Sequence, residues 1–100
     1  MAKQIIWSLN AQNSKKEIFK YWSQRNKSNR YSKQLNQLFK EAILLISEHP
    51  YIGRPTDDAS VRIKIVKEYL LIYEVRETSI NILSIWDGRQ DSSKIEDILK

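Results

Sequence analysis

The chain has 100 residues, 41% of them hydrophobic and 10% aromatic, which suits one small globular domain and excludes a disordered polymer. It has no cysteine, so neither a disulfide framework nor a thiolate nucleophile is possible. The net charge of +5 is uneven: residues 1–55 carry ten Lys/Arg against three Asp/Glu, and residues 56–100 carry seven against nine. A basic front half speeds encounter with polyanions and acidic partners, or is simply a solvated face.

The first residues, Met1 to Trp7, lack the apolar core of a signal peptide, and no apolar run approaches the ~20 residues of a membrane span. The expectation is a cytoplasmic protein with no membrane contact. From Lys3 to Leu9, Ile5, Trp7 and Leu9 alternate with Gln4, Ile6 and Ser8, which predicts a strand buried mainly on one side. A polar break follows over residues 10–14. Ser14-Lys-Lys-Glu17 then has the spacing of a capping box, predicting that a first helix starts there and ends near Arg25-Asn26.

Ser28 or Asn29 can cap a second helix that runs to about His49. Its apolar stripe is Tyr31, Leu35, Leu38, Ala42 and Leu45, widened by Phe39 and Ile46. Leu44 falls off that stripe, beside Lys33 and Lys40. It is either an isolated exposed leucine or part of a partner-binding patch. Pro50 stops the helix because it has no amide hydrogen and restricts the residue before it. Residues 49–58 form the one substantial loop, with both prolines and Gly53.

Three strands follow. Val61, Ile63 and Ile65 alternate with Arg62 and Lys64, giving an apolar face and a cationic face. Residues 69–75 are apolar on both sides apart from Glu74, as in a central strand. Residues 80–86 form the last strand, joined to the previous one by the polar turn 76–79 as an antiparallel hairpin. Ser93-Lys-Ile-Glu96, with Ile95, Ile98 and Leu99, predicts a short C-terminal helix. The order β-α-α-β-β-β implies a single α+β domain over residues 1–100. Its two-helix hairpin packs on one face of a mostly antiparallel four-stranded sheet.

The inventory for catalysis is thin. His49, the only histidine, sits where a helix ends and reads as part of the cap. No cluster has metal-ligand spacing, no glycine-rich loop can cradle a phosphate, and no Ser/His/Asp set exists. Asp57-Asp58 beside Thr56 suits a turn. What remains is a set of cations, Arg54, Arg62, Lys64 and Arg89, expected to converge near one end of the sheet. Such a set can grip phosphate or an acidic partner. With a base and an acid it can support RNA cleavage by the 2′-hydroxyl, without metal. The plain alternative is that Arg62 and Lys64 keep the solvent face of the sheet polar.

Several features in order carry a family resemblance. They are Trp7-Ser-Leu, then Ala11, Ile18 and Tyr21-Trp22, and a long helix closing at His49-Pro-Tyr-Ile-Gly-Arg54. Val61-Arg62-Ile-Lys64, Tyr69-Leu-Leu-Ile-Tyr73-Glu-Val and Ile82-Leu-Ser-Ile-Trp86-Asp-Gly-Arg89 complete the set. Over nearly its whole length the chain resembles the RelE/ParE toxins of bacterial type II toxin–antitoxin systems. The RelE-like branch, ribosome-dependent mRNA endonucleases, carries an arginine after the tyrosine that opens the middle meander strand, and a late His or Tyr. Here Leu70 follows Tyr69, and neither His nor Tyr follows Arg89.

The resemblance therefore favours the ParE-like branch, which poisons DNA gyrase and implies no catalytic residues of its own. The alternative is an mRNA endonuclease using Arg62, Lys64 and Arg89 on the ribosome. The target-binding set is Arg54, Arg62, Lys64 and Arg89, and no cofactor or metal is implied. Either branch implies a toxin–antitoxin hetero-oligomer with a cognate antitoxin. A disordered antitoxin segment would fold over the toxin's apolar and basic surface, with Tyr31, Leu35 and Leu44 as contacts.

Overall fold

The structure, a computed structural model, describes residues 3–88. In chain order the elements are β1 (Gln4–Trp7), α1 (Leu9–Asn26), α2 (Arg30–Glu48), β2 (Arg54–Pro55), β3 (Val61–Val66), β4 (Tyr69–Val75) and β5 (Ser79–Asp87). They build one five-stranded sheet in the order β1-β5-β4-β3-β2. β1 runs parallel to β5, and every other pair is antiparallel. The α+β class and the two-helix connection stand as expected, while the strand count does not. β2 is an additional strand of two residues, paired to β3 through Arg54↔Ile63 and Pro55↔Arg62. The helix expected over 93–99 lies outside the described residues.

α1 begins five residues before the Ser14 box. Ser8 is extended (φ −67°, ψ 159°) and its hydroxyl accepts the Ala11 amide at 3.0 Å, an N-cap made directly at the strand end. The same hydroxyl donates to the Leu83 carbonyl at 2.9 Å, tying the helix start to β5. Ser14 lies inside the helix and donates back to the Asn10 carbonyl at 2.9 Å. The two helices are joined by Ser32, whose hydroxyl is 3.0 Å from that of Ser23 and donates to the Phe19 carbonyl at 2.9 Å. A buried serine between helices is thereby satisfied.

The core lies between α2 and the central strands. Leu35, Phe39, Ala42 and Ile46 of α2, with Ala11 of α1, pack on Tyr69, Leu71, Tyr73 and Val75 of β4. Ile80, Ile82 and Ile85 of β5 join them, and the step from even to odd positions follows the irregularity at Ile72/Tyr73. The apolar stripe of α2 is thus centred on Phe39 and Ile46, while Leu38 and Leu45 are half-buried on its flank.

The cationic side of β3 is not the sheet's solvent face. Arg62 pairs with Tyr73 and Lys64 with Leu71, so both lie on the helix side of the sheet. Val61, Ile63 and Ile65 lie on the opposite side, where Ile63 and its partner Ile72 are buried. The helix layer leaves the β3 end of the sheet to the 49–55 loop, and Arg62 lies beneath that loop.

Candidate functional site

Two surfaces are built from side chains singled out by the sequence. The first is the 49–55 loop. Pro50 ends α2, and a turn closed by the Ile52 amide on the His49 carbonyl (3.0 Å) reverses the chain. The Tyr73 hydroxyl reaches from the core into this turn. It accepts the Gly53 amide at 3.0 Å and donates to the Pro50 carbonyl at 2.8 Å. Burial pushes the Tyr73 phenol up from its ordinary value of 10.0, against the opposing pull of the Gly53 amide and the Arg62 guanidinium. The phenol stays neutral and keeps the proton that it donates.

Arg62 braces the loop from below, its guanidinium donating to the Tyr51 carbonyl at 3.1 Å and the Gly53 carbonyl at 3.0 Å. It also lies 5.1 Å from the centre of the Tyr51 ring. Gly53 is required by space: a Cβ there would meet the Tyr73 hydroxyl at 2.6 Å and the Ile63 carbonyl at 2.9 Å. The sequence marked Gly53 and Arg62 but gave no sign of their shared partner, a tyrosine twenty residues along.

The expected cation cluster is only partly assembled. Arg54 and Arg62 occupy neighbouring strands, yet the register places Arg54 with Ile63 on the far side and Arg62 with Tyr73 on the helix side. Lys64 borders a cleft of ≈ 300 Å³ between β3 and the Leu38/Leu45 flank of α2. Arg89 lies outside the described residues. His49 performs as a cap, its amide donating to the Leu45 carbonyl at 2.8 Å. Among the described residues, no group of carboxylates and histidine could hold a metal ion, and no helix is long and apolar enough to cross a membrane.

The second surface is a groove of ≈ 360 Å³ between the β1 edge and α2. Ile5, Trp7, Phe39, Ile43 and Leu44 form its apolar walls, and Lys15 and Lys40 its rim. Leu44 is 60% exposed. The Lys15 ammonium sits 4.4 Å from the centre of the Trp7 ring, so its stem covers the groove end. Neither Asp nor Glu lines the groove. The other two expected antitoxin contacts differ in kind. Leu35 is wholly buried, and Tyr31 is half-buried, edge-on to Trp22 and donating to Glu68 at 3.3 Å. The Trp7–Lys15 pairing left no sequence signal, because a strand residue and a helix residue eight apart share no periodicity.

No curated protein matches in sequence. A solved structure described as a chromosomal ParDE TA system from P. aeruginosa is similar in fold, with a TM-score of 0.70 and 17% identity. That likeness covers 84% of this chain and 94% of the other. The profile of the family described as ParE toxin of type II toxin-antitoxin system, parDE, matches residues 5–92. The chain therefore belongs to the ParE toxin family.

Proposed function

We propose that this chain is the toxin of a type II toxin–antitoxin pair. It arrests growth in the cytoplasm by poisoning DNA gyrase and is neutralised by a cognate antitoxin in a hetero-oligomer. Membership of the ParE family supports the toxin role. The observation that carries the non-enzymatic reading is the commitment of Arg62. Its guanidinium is held by two backbone carbonyls and an aromatic ring, so it serves the loop rather than a scissile phosphate. Of the two phenols near it, Tyr73 is buried, neutral and bonded on both sides, which disqualifies it as the base that RNA cleavage needs, and Tyr51 lends its ring face to the guanidinium. That geometry speaks against the mRNA endonuclease alternative.

The groove beside Leu44 suits the antitoxin. An apolar cleft rimmed by Lys15 and Lys40 accepts an amphipathic segment with apolar residues on one side and carboxylates flanking them. Such a segment also meets the positive charge of residues 1–55. The discriminating experiment induces the chain alone in a bacterium and follows DNA and protein synthesis separately. DNA replication stops first on this reading. Codon-positioned mRNA cuts with replication intact would replace it by the endonuclease, and harmless overexpression would leave only antitoxin binding.

A further inference from the structure

The tip of the 49–55 loop presents an unusual combination. Its backbone is fixed at every residue: the Pro50, Tyr51 and Gly53 carbonyls each accept a side-chain hydrogen bond, and the Ile52 and Gly53 amides both donate. Yet its side chains turn outward. Tyr51 is 61% and Ile52 46% exposed, and the neighbouring Arg54 is exposed, its guanidinium in no hydrogen bond or ion pair among the described residues. A loop shaped only for solubility would carry polar residues at such a point. Fixing the backbone reduces the entropy lost on binding, and tyrosine and arginine are the side chains that dominate binding energy at protein interfaces.

We infer that Tyr51, Ile52 and Arg54 form a preorganised contact tip for the toxin's target. The complementary surface is an apolar pocket on a protein, bordered by at least one carboxylate that receives Arg54. The observations favour a protein over nucleic acid. One side of the Tyr51 ring already carries the Arg62 guanidinium, Ile52 offers nothing to a base or a phosphate, and Arg54 is the only arginine at the tip whose guanidinium is not bonded to the loop. The tip stands at the β2 edge of the sheet and the Leu44 groove at the β1 edge. Four interstrand steps separate these edges, about 19 Å at ~4.8 Å per step. Target binding and antitoxin binding are therefore separable by mutation.

The inference rests on the toxin reading above, and the test tells the two apart. Two variants are used: Tyr51→Ala/Ile52→Ser, which removes the apolar contact, and Arg54→Glu, which reverses a charge that makes no hydrogen bond or ion pair among the described residues. Each is induced in a bacterium, and the affinity of the purified variant for the antitoxin encoded beside it is measured by calorimetry. The expected result is at least a tenfold increase in surviving cells for both variants, with antitoxin affinity within threefold of wild type. Growth arrest as complete as wild type in both variants would overturn the contact tip while leaving the toxin reading standing. A wild-type chain that arrests nothing would overturn the toxin reading and the tip with it. Retardation of DNA or RNA by the wild-type chain, abolished by Arg54→Glu, would overturn the protein partner.

Discussion

Removing one oxygen atom tests the loop's construction. Tyr73→Phe keeps the ring in the core and deletes only the hydroxyl that links Gly53 to Pro50. Two hydrogen bonds are lost, each contributing about 0.5–1.5 kcal/mol net, and the buried Gly53 amide is left without an acceptor, which adds to the cost. A total of about 2–3 kcal/mol follows. For a domain of this size each kcal/mol moves the melting temperature by roughly 4–8 °C, so a loss of about 2 kcal/mol lowers it by ~8–16 °C. Urea denaturation and calorimetry read the effect, with Tyr51→Phe as the control. Its exposed ring makes no hydroxyl bond within the described residues, and its change stays within about 0.5 kcal/mol. A Tyr73→Phe melting temperature within about 2 °C of wild type would refute the loop's dependence on this hydroxyl.

The same loop predicts that Gly53→Ala is destabilised by about 1–3 kcal/mol, because its methyl group enters space held by the Tyr73 hydroxyl and a β3 carbonyl; thermal melts read it. Because burial raises the Tyr73 pKa, its contribution to stability is complete below pH ~10 and is lost as pH rises through the elevated folded value. Alkaline unfolding followed by circular dichroism should therefore show a component that Tyr73→Phe lacks. At the other end of the scale, the Ser60 amide and hydroxyl hold the Asp58 carboxyl below its ordinary 3.8. Stability from that turn is present above pH 3.8 and falls away as pH drops through the lowered folded value, and Asp58→Asn removes this part of the acid transition. In the groove, Leu44→Asp and Lys40→Glu each weaken antitoxin binding at least tenfold by calorimetry while leaving the melting temperature within a few degrees.

The strands of the meander were legible from alternation or from a bounded apolar run. Residues 61–66 alternate and residues 69–75 are apolar on both faces, and both were bounded correctly. α2 was legible because its amphipathic stripe is long and Pro50 ends it. The start of α1 was not. The sequence placed Ser8 within the first strand and the cap at Ser14; the cap is made at Ser8, whose hydroxyl also donates to the Leu83 carbonyl 75 residues away. β2 escaped because two residues, one a proline, carry no period; only pairing with β3 makes them a strand.

The facing of β3 was likewise open, since alternation identifies two faces without saying which one meets the helices. The site shows the same division. Arg54, Arg62 and Gly53 stood out by type, but the bonds that make Arg62 a brace and leave Arg54 outward depend on backbone carbonyls and a core tyrosine brought in by the fold.

The most direct test of the toxin's action is made on purified DNA gyrase with the purified chain. A gyrase poison inhibits supercoiling at near-stoichiometric ratios and accumulates cleaved DNA bound to the enzyme, and adding the cognate antitoxin reverses both effects. Unimpaired supercoiling at a large molar excess of the chain, with no cleaved complex, would contradict gyrase as the target.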